Sequence, residues 1–417
     1  MRNACLPTTM IVVALATLCA FSALANAQAT VLYAFNQSAA QNGWAPYGGV
    51  IFGKDGNLYG TTSIGGNLND CNGSGCGVVY ELSGGTETVL YAFAGYPTDG
   101  SNPYDDLVMD TKGNLYGVTA RGGANGGPTG FGTVFKLASD GTETILHSFA
   151  GTDGCYPVGG LLLEGGILYG TTFDYGCGYG SIFSINLKTG VFSTLYTFAS
   201  GTDNGSSPQG NLAYKDGNLY GTTEFSGANG FGIVYQFTLS TSTFNILYSF
   251  KGGADGDGEF PIGGPIFGKG GNLYGTTLAG GGNTNCDSGG CGTVYEVTLK
   301  GVETVLHAFD GYIAPNGGDG SNLQGSLVAD KKGNLFGFAS NGGANNHGTV
   351  YELSPGKKGS WTFDLLYSFN PDAFQGDEDG SEPLYGSLVL DANDNVYGTT
   401  VGGGGSGGGG TVYEVTP

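Results

Sequence analysis

The sequence predicts an all-β fold, a seven-bladed β-propeller of four-stranded antiparallel blades, and three recurring phrases predict it. The first, N-L-Y-G, begins at Asn57, Asn114, Asn218 and Asn272, and returns as I-L-Y-G at Ile167, N-L-F-G at Asn334 and N-V-Y-G at Asn395. The second has the form G-x-V-Y-E-L and begins at Gly77, Gly132, Gly180, Gly232, Gly292, Gly348 and Gly410. The third, L-[YH]-x-F, begins at Leu32, Leu90, Leu146, Leu195, Leu247, Leu306 and Leu366. Each occurs seven times, with successive copies of the first 51 to 62 residues apart. A period near 50 with β-branched and aromatic phrases is that of a propeller blade.

Taken in chain order, residues 1–27 come first. An apolar run follows Arg2 and ends in Ala25, Asn26 and Ala27, so a signal peptide cleaved after Ala27 is expected. Residues 28–417 are expected to form one propeller domain, secreted to an extracellular or periplasmic location. Within a repeat, a short apolar stretch such as "LVMD" at 107 supplies the first strand, and the three phrases supply the second, third and fourth. Tight turns such as "DTKGN" join the first strand to the second, and "SDGTE" or "LKTG" joins the third to the fourth. The longer link after L-[YH]-x-F then runs from an outer strand to the next inner one. By that phase the chain opens with an orphan outer strand, "TVLYAF" at 30–35, and ends after three strands of the seventh blade. The orphan is expected to complete that blade and close the ring, removing exposed edges.

These phrases, with the paired glycines between them, resemble the GloVer (Gloeobacter/Verrucomicrobia) tandem repeat of exported bacterial proteins. The resemblance covers essentially all of residues 28–417. It implies export and a propeller-like fold, and it supplies no catalytic residues.

Inside the phrase "NLYGTT", alternation places Leu58, Gly60 and Thr62 on one face and Tyr59 and Thr61 on the other. Gly60 is expected to let a neighbouring blade or an aromatic ring pack close. Asn57 is expected where a turn wants positive φ. A feature present in all seven repeats reads as architecture, and so does the motif D-G-x-x-P at Asp99, Asp153, Asp257 and Asp379. Its aspartates are expected to cap turns. The loops "DGDGE" at 255 and "DEDGSE" at 377 imitate a calcium loop only in part, so no metal and no cofactor is expected.

The full chain carries 35 acidic and 14 basic residues, and removing Arg2 with the leader takes the charge from −21 to −22. Such a surface repels nucleic acid and anionic lipid. Past the leader no run is long and apolar enough to span a membrane, and a monomer is expected. Six cysteines lie beyond residue 27. Three local disulfides are expected: Cys71 with Cys76, Cys286 with Cys291 in the equivalent loop, and Cys155 with Cys177 across one hairpin edge.

Function is sought where a repeat departs from the pattern. Glycine stands at the start of the inner strand in six repeats, at Gly48, Gly159, Gly210, Gly263, Gly325 and Gly386. The second repeat has Asp105 there, followed by Asp106. Both carboxylates are expected near the mouth of the central channel. On the same edge come Arg121, Asp174 with Tyr175, Glu224 with Phe225, and His347. Carboxylates beside an arginine and aromatic rings suit a glycan or protein ligand. The favoured function is therefore a binding or interaction scaffold. The alternative is a polysaccharide lyase or hydrolase using Asp105, Asp174 and Glu224 as acid and base, although no nucleophile motif supports an enzyme.

Overall fold

The computed structural model describes residues 28–37, 42–173, 176–199, 203–286, 289–312, 317–370 and 379–417. The expected signal peptide lies outside them, as do Asp174, Tyr175 and the first part of the 377 loop. Seven four-stranded antiparallel sheets form a ring. The first blade runs outward through Ile51–Phe52, Leu58–Thr62, Val78–Ser83 and Thr86–Ala92. No helix among the described residues is long and apolar enough to cross a membrane.

Ring closure follows the phase read from the repeats. Gln28–Asn36 pairs antiparallel with Gly408–Thr416, with Thr30 opposite Glu414 and Tyr33 opposite Val412. Phe35 is fully buried in the seam, packed with Tyr80 of the first blade and Val412 of the last. In every blade the outer strand slips by one residue at the leucine of L-[YH]-x-F, as at Leu90 between the Tyr80↔Val89 and Val79↔Tyr91 pairs. Such a bulge sharpens the twist of an outer strand and so disfavours edge-to-edge pairing.

Gly60 serves an aromatic ring of its own blade. It lies opposite Tyr80, and a Cβ there would sit 2.5 Å from the Tyr80 hydroxyl. The same ring-over-glycine contact recurs in all the blades, with Phe135 and Phe183 replacing tyrosine in the second and third. The positive φ of the first turn, however, falls one residue earlier than expected, on Gly56 at 84°. Asn57 instead reaches with its side chain to Asp55 at 3.0 Å and Glu81 at 2.5 Å.

The D-G-x-x-P motif and the outer-strand ring turn out to be one device. The aspartate accepts a hydrogen bond from that ring in the Tyr91–Asp99, Tyr248–Asp257 and Tyr367–Asp379 pairs, at 2.9, 2.7 and 2.5 Å. His147 and His307 make the equivalent bonds to Asp153 and Asp319, at 2.9 and 2.8 Å. Where asparagine replaces aspartate the direction reverses, and Asn42 and Asn204 donate to Tyr33 and Tyr196. The aspartates also accept backbone N–H groups, such as those of Ala94 and Lys251. Each link between blades is thereby pinned to the outer strand that precedes it.

The three disulfides join Cys71 to Cys76, Cys155 to Cys177 and Cys286 to Cys291.

Candidate functional site

The clasped loops share one unusual backbone feature. The residue before the proline, or before Leu323 in the sixth blade, has φ between 50° and 60° in all seven: Ala45, Asn102, Tyr156, Ser207, Phe260, Asn322 and Glu382. A left-handed conformation is costly for residues other than glycine. It is held from both sides by backbone hydrogen bonds. Asn102 N donates to Cys76 O of the preceding blade, while Asn102 O accepts from Ala120 N. The same pair of bonds recurs around Ser207, between Tyr179 O and Glu224 N.

The kink directs the residues that follow to one end of the ring axis. There they line a funnel of about 540 Å³ together with the residue after the second strand of the second to fifth blades, Ala120, Phe173, Glu224 and Leu278. Every blade contributes to its wall. Tyr47, Tyr104 and Tyr385 come from the first, second and seventh blades, and Gln209, Glu224 and Gln324 from the fourth and sixth. Val158, Phe173 and Ile262 fill the apolar arc between them. Positions that are equivalent by fold are thus unlike by chemistry.

The three tyrosines cluster. Tyr47 meets Tyr104 edge-on with ring centroids 4.8 Å apart, and Tyr385 at 6.0 Å and a 39° tilt. Facing them, Glu224 accepts a hydrogen bond from Gln209 at 2.7 Å. Burial pushes its carboxyl up to about 7. Arg121 also lines the funnel, with its guanidinium 5.9 Å from the Tyr156 ring centroid. Among the described residues its guanidinium makes no ion pair with a carboxylate.

Asp105 and Asp106 lie deeper than the expected channel mouth. The glycine ring brings adjacent inner strands into backbone contact; a Cβ on Gly386 would sit 2.0 Å from Gly49 N, and one on Gly48 would sit 2.5 Å from the Asp105 carbonyl carbon. Asp105 lines a small hollow below the funnel, shared with Gln209, Gln324 and Tyr385. Burial and the adjacent Asp106 hold its carboxyl well above the ordinary range. Asp106 points away from the loop face. Its carboxylate accepts Gly49 N at 2.6 Å and Ser387 N at 3.1 Å. Asn211 bonds both Asp106 and Ser387, so side chains from the second, fourth and seventh blades meet across the axis. Burial raises the Asp106 carboxyl too, against these hydrogen bonds.

The structure therefore brings Arg121 and Glu224 to one funnel, sets Asp105 in the hollow beneath it and gives Asp106 a bracing position. His347 stands elsewhere: its backbone carbonyl accepts Glu382 N, and it does not line the funnel. Asp174 and Tyr175 fall outside the described residues, although Phe173 beside them reaches the funnel. The tyrosine cluster and the two glutamines escaped sequence reasoning. The available signal was the residue directly before each inner-strand glycine, or before Asp105 in the second repeat, which varies while that glycine repeats.

The sequence profile of the Gloeobacter/Verrucomicrobia repeat family matches residues 19–201, 69–288 and 284–417. No curated protein matches the chain. Among solved structures it is similar to the oligogalacturonate lyase of Vibrio parahaemolyticus, at TM-score 0.51 and 12% identity, covering 94% of this chain and 96% of that one. A puromycin-hydrolyzing peptidase of Mycobacterium tuberculosis matches at TM-score 0.52 and 12% identity, with 90% of this chain covered and 54% of that one. TolB from Acinetobacter baumannii matches at 0.40 and 14%, covering 70% of this chain and 59% of that one. The chain thus spans little more than half of the last two. Likenesses at such identities speak to fold alone.

Proposed function

This chain belongs to the Gloeobacter/Verrucomicrobia repeat family, and on that premise we propose that it is an exported binding propeller that holds a glycan or a protein segment in its axial funnel. One observation carries the proposal. The repeats largely keep their strand, glycine and clasp residues, while the residue before the inner-strand glycine, which lines the funnel, changes among tyrosine, valine, glutamine and isoleucine. Aromatic rings on one side and amides with a carboxyl on the other suit a ligand with apolar faces and polar edges. The disulfides accord with an oxidising compartment.

A glycan-array and peptide-array screen of residues 28–417 tests this. Hits should weaken at least about tenfold in Tyr47→Ala and Tyr104→Ala, and persist in Tyr96→Ala, whose exposed ring does not line the funnel. Hits unaffected by the funnel substitutions would move the binding site elsewhere.

A catalytic reading has its own support, because Asp105 and Glu224 are two carboxyls of raised pKa in adjoining cavities, the hollow and the funnel, which share Gln209, Gln324 and Tyr385. That is how acid and base pairs are made. Product analysis on the array hits separates the two: cleaved products that vanish in Glu224→Gln would establish an enzyme.

A further inference from the structure

We propose that the group seated in the funnel is an alkylammonium, held between the three tyrosine rings and Glu224. This rests on the reading of the funnel as a binding site and names the chemistry it recognises. Tyr47, Tyr104 and Tyr385 present rings at differing angles, and Tyr385 lies within electrostatic range of both other rings and of Glu224. Ring faces carry negative quadrupole, so several rings around one space attract a cation, most strongly where water is excluded. A carboxylate facing the rings completes such a cage.

The hydrogen-bonding groups agree with the rings. Glu224 accepts from Gln209 and makes no ion pair among the described residues. Gln324 Oε1 is buried on the same wall without a hydrogen-bond partner. Asp105, nine-tenths buried, closes the floor. Glu224 supplies the countercharge for an ammonium, and Gln324 Oε1 an unpartnered acceptor for any N–H it carries. Among the described residues Arg121 is the one cation on the wall, and it sits against Tyr156. A net charge of −21 adds a long-range field that draws cations to the molecule. A neutral sugar ring would use the tyrosines and donate a hydroxyl to Gln324 Oε1, but would leave Glu224 without a countercharge.

Amino sugars and lysine side chains both carry ammonium groups outside the cell. Both share the chemistry proposed here. The titratable groups that face Glu224 are Tyr47, Tyr104, Tyr385, Arg121 and Asp105, with Glu382 near Tyr47. Glu224, pushed up to about 7, changes charge close to neutrality, so a cation of fixed charge should bind better as pH rises through about 7.

Choline supplies that fixed charge, and 3,3-dimethylbutan-1-ol supplies its shape without it. Calorimetry on residues 28–417 should show choline binding with the alcohol at least about tenfold weaker. Choline should bind roughly tenfold more tightly at pH 8 than at pH 5.5. Glu224→Gln should weaken choline and flatten that pH profile, while Tyr385→Ala should weaken it and keep the profile. Circular dichroism would confirm that both variants fold. Glucosamine oligomers and lysine tripeptides, each against its N-acetylated form, then tell the sources apart. Equal binding of choline and the alcohol, or a profile unchanged by Glu224→Gln, overturns the ammonium proposal alone. Array hits that prefer acetylated forms and depend on the tyrosines would do the same, leaving the funnel as a binding site. No ligand of any kind at the funnel would sink both.

Discussion

Single carboxyl groups set how this protein responds to pH. Glu143, Glu224 and Glu303 are each pushed up to about 7, chiefly by burial, with Asp99 adding repulsion at Glu143 and Asp257 at Glu303. Asp105 is also held well above its ordinary value by burial and the adjacent Asp106. A raised acid holds its proton in the folded state and gives it up in the unfolded chain, so folding is favoured by protons between the two values. Stability should therefore fall as pH rises from about 4.5 to about 7. His147 is held below its ordinary value by burial and works the other way, gaining stability as pH rises toward 6.5. It is one group against seven raised carboxyls among the described residues, Glu87, Asp106 and Glu352 being the other three. Melting temperature should be higher at pH 5 than at pH 8, and Glu143→Gln with Glu303→Gln should narrow that gap. A melting temperature that climbs from pH 5 to pH 8 would contradict this account. Asp105 and Asp106 show how far one residue's role was legible. Their departure from the glycine pattern is plain in the chain, but which of them faces the funnel hollow depends on strand alternation inside a packed axis.

At the scale of the element, the blade is a set of interlocking repeats. Glycine in the second strand exists to admit the ring of the third, and that ring carries a hydroxyl in five blades. The hydroxyls of Tyr80, Tyr235, Tyr295, Tyr351 and Tyr413 are buried with no hydrogen-bond partner. A buried polar group left unpaired costs about 1–3 kcal/mol, and replacing it by an apolar group of the same shape is neutral or stabilising. The second and third blades already carry Phe135 and Phe183 there. Tyr295→Phe should thus leave stability unchanged or raise it by up to about 1 kcal/mol in denaturant unfolding. A clear loss would mean that the hydroxyl is bonded, as a buried water would allow. The clasp between outer-strand ring and D-G-x-x-P aspartate belongs to this scale too. Each motif was visible by itself, yet their pairing was not, since they meet only after the chain has turned from one blade to the next.

For the whole molecule, closure is the decisive contact. The outer strand of the last blade comes from the other end of the chain, and it buries Phe35 between the seventh and first blades. Losing one buried phenylalanine costs about 3–5 kcal/mol in typical cores. Deleting residues 28–36 would also strip the pairing partner from Gly408–Thr416 and expose an edge. The truncated protein should melt at a clearly lower temperature and tend to aggregate. An unchanged melting temperature would show that the ring does not need this strand. Around the axis, the contacts among Asp106, Asn211 and Ser387 join blades that are not neighbours, so the wheel is braced at its hub as well as at its seam.

The chain alone determined the number of blades, their strand order, the phase of the ring and its closure. These follow from local periodicity, because alternation, turn residues and a sevenfold count are properties of adjacent residues. Only the tertiary structure decided the site. Tyr47 and Tyr385 lie at opposite ends of the sequence, and Glu224 lies between, so nothing local links them. The ring brings them together because each blade turns an equivalent kinked loop toward a common axis. Circular order converts distant positions of one register into neighbours around a funnel, and no short-range pattern records that conversion.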